Sequence, residues 1–148
     1  LSSFSIAQTP TNYSGKWGFD ISKSDPGKGG SFLYRDIVDN IIQNPTTISI
    51  EEIIRRPGNE DILDIQKFNL DGKETIEKND MGTTKKIAKW SDDKKILTLT
   101  TIMTVDSKDY RIDVSYKLSD NGITMTVLTE IKNPNGERTV IQVFYKKE

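Results

Sequence analysis

The sequence predicts an all-β protein: a single antiparallel up-and-down meander β-barrel of about 8–10 strands, with one short helix at residues 31–43 between the first and second strands. Most segments alternate apolar and polar side chains, which is the period-two pattern of half-buried strands. Short turn sequences rich in Gly, Asn and Asp separate them, and connections this short join antiparallel neighbours. Closure of so wide a sheet into a barrel would remove its exposed edges.

The first strand is predicted at residues 13–21, where Tyr13, Gly15, Trp17 and Phe19 share one face. The glycine-rich sequence at 24–30 then breaks this strand. A strand that opens a closed sheet must pair with the strand that ends it. We therefore expect the first strand and the C-terminal strand to define the barrel together.

Residues 31–43 are the only helical candidate. Ser31 can cap its N-terminus, and Pro45 would stop it. Its apolar residues, spaced three and four apart, are Leu33, Tyr34, Ile37, Val38 and Ile41. Such a helix would lie across one end of the barrel as a lid. The alternative interpretation is a further, irregular strand.

The rest of the chain is predicted to form eight more strands. Their bounds are 46–55, 61–70, 73–78, 83–90, 95–105, 110–118, 123–131 and 139–146. The turns between them are short, and Asp71-Gly72 is a typical two-residue hairpin signal.

Alternation within the later strands predicts which side chains face the interior, and the inner face of the last strand is assigned to Ile141, Val143 and Tyr145. Thr101 and Thr129 fall on the faces predicted to point inward in the strands at 95–105 and 123–131. A dry core would favour valine there, because a buried hydroxyl needs a partner. The threonines therefore indicate a cavity that holds water or a ligand. The predicted ligand-contacting residues are Phe68, Leu97, Leu99, Thr101, Met103, Tyr110, Ile112, Val114, Tyr116, Met125, Val127 and Tyr145.

Two interpretations remain open for the strand at 61–70. Asp64 and Gln66 can point inward as polar anchors in an apolar cavity, which is a common arrangement in ligand sites. Alternatively, Leu63 and Ile65 face inward and Asp64 faces water.

These features together resemble the calycins, the superfamily of the lipocalins and fatty-acid-binding proteins. The resemblance rests on Gly15-Lys16-Trp17 in the opening strand, the insertion after it, the long meander and the closing sequence 143–147. The chain is most similar to the small lipocalin-like domains of secreted bacterial proteins. This resemblance implies a barrel that binds a small hydrophobic molecule.

The resemblance also implies roles for single residues. Gly15 and Trp17 would be structural, with Trp17 packed across one barrel end and covered by Lys146. Fatty-acid-binding proteins clamp a carboxylate with an Arg-x-Tyr pair on the closing strand. Tyr145 matches that tyrosine, whereas Val143 stands at the arginine position, so a carboxylate clamp of that kind is not expected.

Composition excludes several functional classes. The 148 residues include no His and no Cys, which removes His- and Cys-based catalysis, disulfides and the usual zinc and copper ligands. We therefore expect no metal and no cofactor. A net charge of −1 argues against nucleic-acid binding. No apolar run reaches the roughly 18 residues that span a bilayer. A monomer is the expected state.

The first residues predict the compartment. Residues 1–8 have the small and apolar pattern of a signal-peptide remnant, with a disordered arm as the alternative. Residues 9–148 would then form one lipocalin-like barrel domain in a secreted or periplasmic protein.

Three functions remain open at this stage. The first is a non-enzymatic carrier or sensor of a small hydrophobic ligand. The second is a protein-interaction module, such as an inhibitor or envelope-assembly factor, that uses rim loops over a filled core. The third is an enzyme of the isomerase or cyclase kind, which a cavity acid with a raised pKa would support.

Overall fold

A computed structural model describes residues 8–148, which form ten β-strands. The strands are β1 (Gly15–Asp25), β2 (Asp36–Gln43), β3 (Thr47–Arg55), β4 (Ile62–Asn69), β5 (Thr75–Asn79), β6 (Gly82–Trp90), β7 (Ile96–Val105), β8 (Lys108–Leu118), β9 (Thr124–Asn133) and β10 (Gly136–Lys147). Within this range there is no helix, and hence none that could cross a membrane. Apart from Gln8, the predicted signal remnant or arm at residues 1–8 lies outside the described residues.

All ten strands belong to one antiparallel sheet in the order β4-β3-β2-β1-β10-β9-β8-β7-β6-β5. The pairing of β1 with β10 confirms the prediction that the first and last strands meet. Strands β4 and β5 stand at the two ends of this order and do not pair, although β4 approaches β6. The sheet is therefore a nearly closed up-and-down barrel with one gap, between β4 and the β5–β6 hairpin.

The predicted helix at residues 31–43 is wrong. Residues 26–35 form an irregular loop, and Asp36–Gln43 is strand β2, paired with β1 on one side and β3 on the other. The helical spacing of Ile37, Val38 and Ile41 is equally compatible with a strand whose two faces are both covered. β-Branched side chains favour the extended conformation, and hydrogen-bonding partners on both sides decide the outcome.

Aromatic side chains close one end of the barrel. Tyr13 is fully buried, stacks on Trp90 with ring centroids 6.2 Å apart, and meets Tyr116 edge-on at 6.0 Å. The Tyr13 hydroxyl lies 2.6 Å from the carbonyl oxygen of Tyr116 and 2.7 Å from that of Lys95. The Trp17 indole N–H donates to the carbonyl oxygen of Tyr13 at 2.9 Å. This network fixes the segment before β1 to the barrel floor.

The Gly15-Lys16-Trp17 motif has a structural explanation. Gly15 has a φ of +143°, a conformation that L-residues with a side chain rarely adopt. The Trp17 ring is 1% exposed, and the Lys146 ammonium lies 5.9 Å from its centroid. The expectation that Lys146 covers Trp17 is therefore confirmed.

The inner face predicted for the closing strand is wrong by one residue. Phe144 pairs with Phe19 of β1 and Met125 of β9, and all three are buried, so Phe144 faces the interior. Alternation then places Ile141, Val143 and Tyr145 on the outside. Both faces of β10 carry apolar residues, so the period alone could not choose between them. Tyr145 is 43% exposed, and a Cβ added to Gly18 would lie 2.7 Å from its ring.

Candidate functional site

The barrel interior contains a cavity of about 180 Å³ above the aromatic floor. It is walled by side chains from both halves of the barrel: β2, β3 and β4 on one side, and β7, β8, β9 and β10 on the other. The lining residues are Asp39, Ile50, Glu52, Asp64, Gln66, Phe68, Leu99, Thr101, Val114, Tyr116, Val127, Thr129 and Gln142. The wall is therefore apolar on most of its area, with polar groups concentrated on β2, β3 and β4.

The structure brings half of the sequence-predicted contact residues to this cavity. Those that line it are Phe68, Leu99, Thr101, Val114, Tyr116 and Val127. Leu97 and Met125 are fully buried and belong to the packed core rather than to the cavity wall. Met103, Tyr110 and Ile112 share the inner face but lie beyond the cavity, where Met103 is 40% exposed. Tyr145 lies on the outer surface and takes no part in the wall.

Three carboxyl groups form one row across the first half of the barrel. Asp39 on β2 pairs with Glu52 on β3, which pairs with Asp64 on β4. All three line the cavity. Asp39 is only 3% exposed, whereas Asp64 lies at the open side, next to the gap. The inward interpretation of Asp64 and Gln66 is thus correct, because Leu63 and Ile65 are 58% and 53% exposed on the outer face.

Asp39 and Glu52 hold a proton between them. Burial, the charge of Glu52 and the hydrogen bond between the two side chains raise the pKa of Asp39 to about 9. Burial also raises the pKa of Glu52, although the hydrogen bond from Asp39 opposes this effect. Two neighbouring buried carboxylates repel each other when both are ionised, so the pair favours keeping a proton, and the raised pKa of Asp39 makes it the group that holds this proton.

One oxygen of this pair is left without a partner. Among residues 8–148, Asp39 Oδ1 is buried and accepts no hydrogen bond. Such a group costs roughly 1–3 kcal/mol when it is desolvated without compensation. Tyr116 lies opposite on β8, and its pKa is raised strongly, first by burial and then by the nearby charges of Asp39 and Glu52. The acidic pair and the tyrosine therefore face the same small volume.

The gap beside β4 is bridged by one lysine of β6. The Lys86 ammonium lies 4.4 Å from the centroid of Phe68 and donates to Gln66 Oε1 at 3.4 Å. A second cavity of about 150 Å³ opens at this gap, between residues of β4, β5 and β6. The gap is therefore the point where the interior comes nearest to solvent along the barrel wall.

Sequence reasoning missed Asp39, Ile50, Glu52 and Gln142 as cavity residues. Asp39 lies within the segment predicted as a helix, where a charged residue is expected on the solvent side, and Gln142 was missed because the inner face of β10 was predicted one residue out of register. Glu52 was detectable, because it follows Ile48 and Ile50 at intervals of two, and both isoleucines are buried.

The chemistry of the wall is that of a binding site with an acidic end. The carboxyl groups can accept hydrogen bonds or bind a positive charge. The amide and threonine side chains can donate or accept hydrogen bonds, and the remaining wall is apolar. Within residues 8–148, no three Asp, Glu, His or Cys side chains are placed to share one metal ion.

Comparison with known proteins gives a fold but no family. A scan against protein-family models found no match, and a search of curated proteins found no similar sequence. A solved structure of similar fold is the zebrafish ileal bile acid-binding protein complexed with cholic acid, with a TM-score of 0.54 and 15% sequence identity. The alignment covers 91% of this chain and 98% of that protein. The chain thus has the same barrel fold as that bile acid-binding protein.

Proposed function

We propose that this protein is a non-enzymatic binding protein that holds a small, largely apolar molecule inside its barrel, as a carrier or sensor. The observation that carries the proposal is the cavity of about 180 Å³, with apolar walls from both halves of the barrel and a few convergent polar groups. This combination is typical of small-molecule sites. Drug-sized ligands occupy pockets of roughly 300–1,000 Å³, so the expected ligand is smaller.

The structural comparison supports the same class of function. The zebrafish protein of similar fold was crystallised with cholic acid. We further propose that the chain acts as a monomer in a secreted or periplasmic setting, which the signal-like pattern of residues 1–8 supports. Mass spectrometry of the mature N-terminus in cell fractions would test the compartment, and size-exclusion chromatography with light scattering would test the oligomeric state.

A pair of matched variants tests the binding site. Thr129 lines the cavity, whereas Thr126 lies on the outer face of the same strand and is exposed. Thr129→Phe would fill the cavity, and Thr126→Phe would leave it open. Cyclohexanol would be titrated while the methyl resonances of Leu99, Val114 and Val127 are followed by NMR.

We expect saturable shifts of these methyl resonances in the wild type and in Thr126→Phe, and a loss of at least about tenfold in affinity in Thr129→Phe. Equal binding to both variants, or no saturable shift in the wild type, would contradict the proposal. Native mass spectrometry of protein purified from its own source would then identify the molecule that travels with it.

One observation favours the second candidate, a protein-interaction module. Large apolar side chains are exposed on the outer face of β2 and β4, the two strands that flank β3: Ile42, Leu63 and Ile65 are 69%, 58% and 53% exposed. Such exposure on a sheet face is a common mark of a contact surface. Replacing Leu63 and Ile65 with Ser would abolish capture of a protein partner under this alternative, while cyclohexanol binding would remain unchanged.

A further inference from the structure

The cavity presents acceptors at its deepest polar point and no cationic side chain. Among the described residues, neither Lys nor Arg lines the cavity, whereas three carboxyl groups do. Asp39 Oδ1 is buried without a hydrogen-bond partner, and Glu52 and Asp64 stand beside Asp39 on the next two strands. The wall around this acidic row is mostly apolar, so a positive charge brought to it is poorly screened by water.

From this arrangement we infer that the ligand is a small apolar amine, bound as its ammonium form with the nitrogen donating to Asp39 Oδ1 and the hydrocarbon part against the apolar wall. The inference rests on the proposed function and specifies its ligand class. A charge-assisted hydrogen bond is about twice as strong as a neutral one, and it would satisfy the one buried oxygen that has no partner. A carboxylate ligand would instead bring a second negative charge to the pair.

The titratable groups that share the cavity with the pair are Asp64 on β4 and Tyr116 on β8, and neither is cationic. Lys86 on β6 and Lys146 on β10 are not among the residues that line the cavity. The Lys86 ammonium is turned towards Gln66 and Phe68, and the Lys146 ammonium lies over Trp17. The wall of the cavity therefore offers a ligand carboxyl groups and no cationic side chain.

Binding of an ammonium group should release a proton. The positive nitrogen stabilises the second ionised carboxylate, so the shared proton of Asp39 and Glu52 passes to the buffer as the amine binds. A neutral ligand gives no such stabilisation and should bind without proton release. Proton release therefore distinguishes an amine held at this pair from an amine held elsewhere in the barrel.

The test uses three probes with the same ring: cyclohexylamine, cyclohexanol and cyclohexanecarboxylate. Isothermal titration calorimetry at pH 7 would measure each affinity in phosphate and in Hepes, whose different ionisation enthalpies reveal proton transfer. We expect cyclohexylamine to bind at least about tenfold more tightly than cyclohexanol, with release of up to about one proton. Cyclohexanecarboxylate should bind most weakly.

Variants separate the acidic pair from general electrostatics. Asp39→Asn should lower the affinity for cyclohexylamine at least about tenfold more than the affinity for cyclohexanol, and it should abolish proton release. Asp113→Asn removes one negative charge from the outer face, where Asp113 pairs with Arg111 at 2.8 Å, and should preserve the wild-type order of the three probes. The order and the proton release in the wild type decide the question even if Asp39→Asn fails to fold.

Each outcome has a distinct meaning. Equal affinities for the amine and the alcohol, tighter binding of the carboxylate, or amine binding without proton release would overturn the amine assignment and leave the proposed binding function intact. If none of the three probes binds, the amine assignment and the proposed function both fail.

Discussion

Replacing Asp39 with Asn should change the pH dependence of stability. In the folded protein the pKa of Asp39 is raised to about 9, mainly by burial, from an ordinary value of 3.8. Between these two values the folded chain keeps a proton that the unfolded chain has lost. The folded state therefore binds more protons, and the free energy of unfolding must fall as the pH rises.

The size of the effect follows from this proton. One extra proton bound by the folded state lowers the free energy of unfolding by about 1.4 kcal/mol per pH unit. Raising the pH from 5 to 8 should therefore lower the free energy of unfolding by about 4 kcal/mol through Asp39 alone. The contribution of Asp39 to the free energy of unfolding is fully present only below the pKa of Asp39 in the unfolded chain. It is fully lost above the pKa of Asp39 in the folded protein. Asn is neutral throughout and can still donate a hydrogen bond to Glu52, so Asp39→Asn should remove this slope.

Urea unfolding at pH 5, 6, 7 and 8 would measure the effect in the wild type and the variant. We expect the advantage of Asp39→Asn to grow by about 1.4 kcal/mol per pH unit. Asp113→Asn is the matched control. Burial alone would raise the pKa of Asp113, but hydrogen bonds from Arg111 and Thr100 lower it overall, so its titration falls below this range. Parallel pH profiles for the wild type and Asp39→Asn would refute the assignment of the buried proton.

Three further predictions concern the stability of the barrel. Gly15→Ala should lower the free energy of unfolding by about 1–3 kcal/mol, because a φ of +143° is strained for alanine, and an unchanged urea midpoint would contradict this. Trp17→Phe should cost about 1–3 kcal/mol by leaving the buried carbonyl of Tyr13 without its donor, measured in the same way. Asp113→Asn should destabilise the protein at pH 7 but much less at pH 2. Because the pKa of Asp113 is lowered in the folded protein, its ionised carboxylate stabilises the fold at pH values above its pKa in the unfolded chain, and this stabilisation is lost as the pH falls. An equal loss of unfolding free energy at pH 7 and pH 2 would contradict this prediction.

Much of the fold could be predicted because turns and alternation are local signals. The predicted bounds of the later strands match the structure within a few residues, since Gly, Asn and Asp mark the turns and polar residues mark the outer face. The aromatic floor was also partly predictable, because Trp17 follows a glycine at the spacing found in calycins. None of these signals depends on which strand, distant in the sequence, pairs with the segment that carries them.

Two errors show where local signals fail. Residues 36–43 carry apolar side chains at spacings that suit a helix or a strand, and only the pairing with β1 and β3 decides between them. Residues 140–145 carry apolar side chains on both faces, so the register of β10 depends on how Phe144 packs against Phe19 and Met125. In both cases the deciding contacts join residues that are distant in the sequence.

The acidic pair was hidden for a different reason. A sequence-based interpretation assigns charged residues to the solvent, and this rule holds for most carboxyl groups of the chain. Nothing local distinguishes Asp39, and only the spacing from Ile48 and Ile50 marks Glu52. Once β2 lies beside β3, the two carboxyl groups become cross-strand neighbours inside the barrel. An apolar side chain at position 39 would avoid the desolvation penalty and the loss of stability with rising pH. An acid that costs stability at a site lined by apolar groups is better explained by what it binds than by what it contributes to folding.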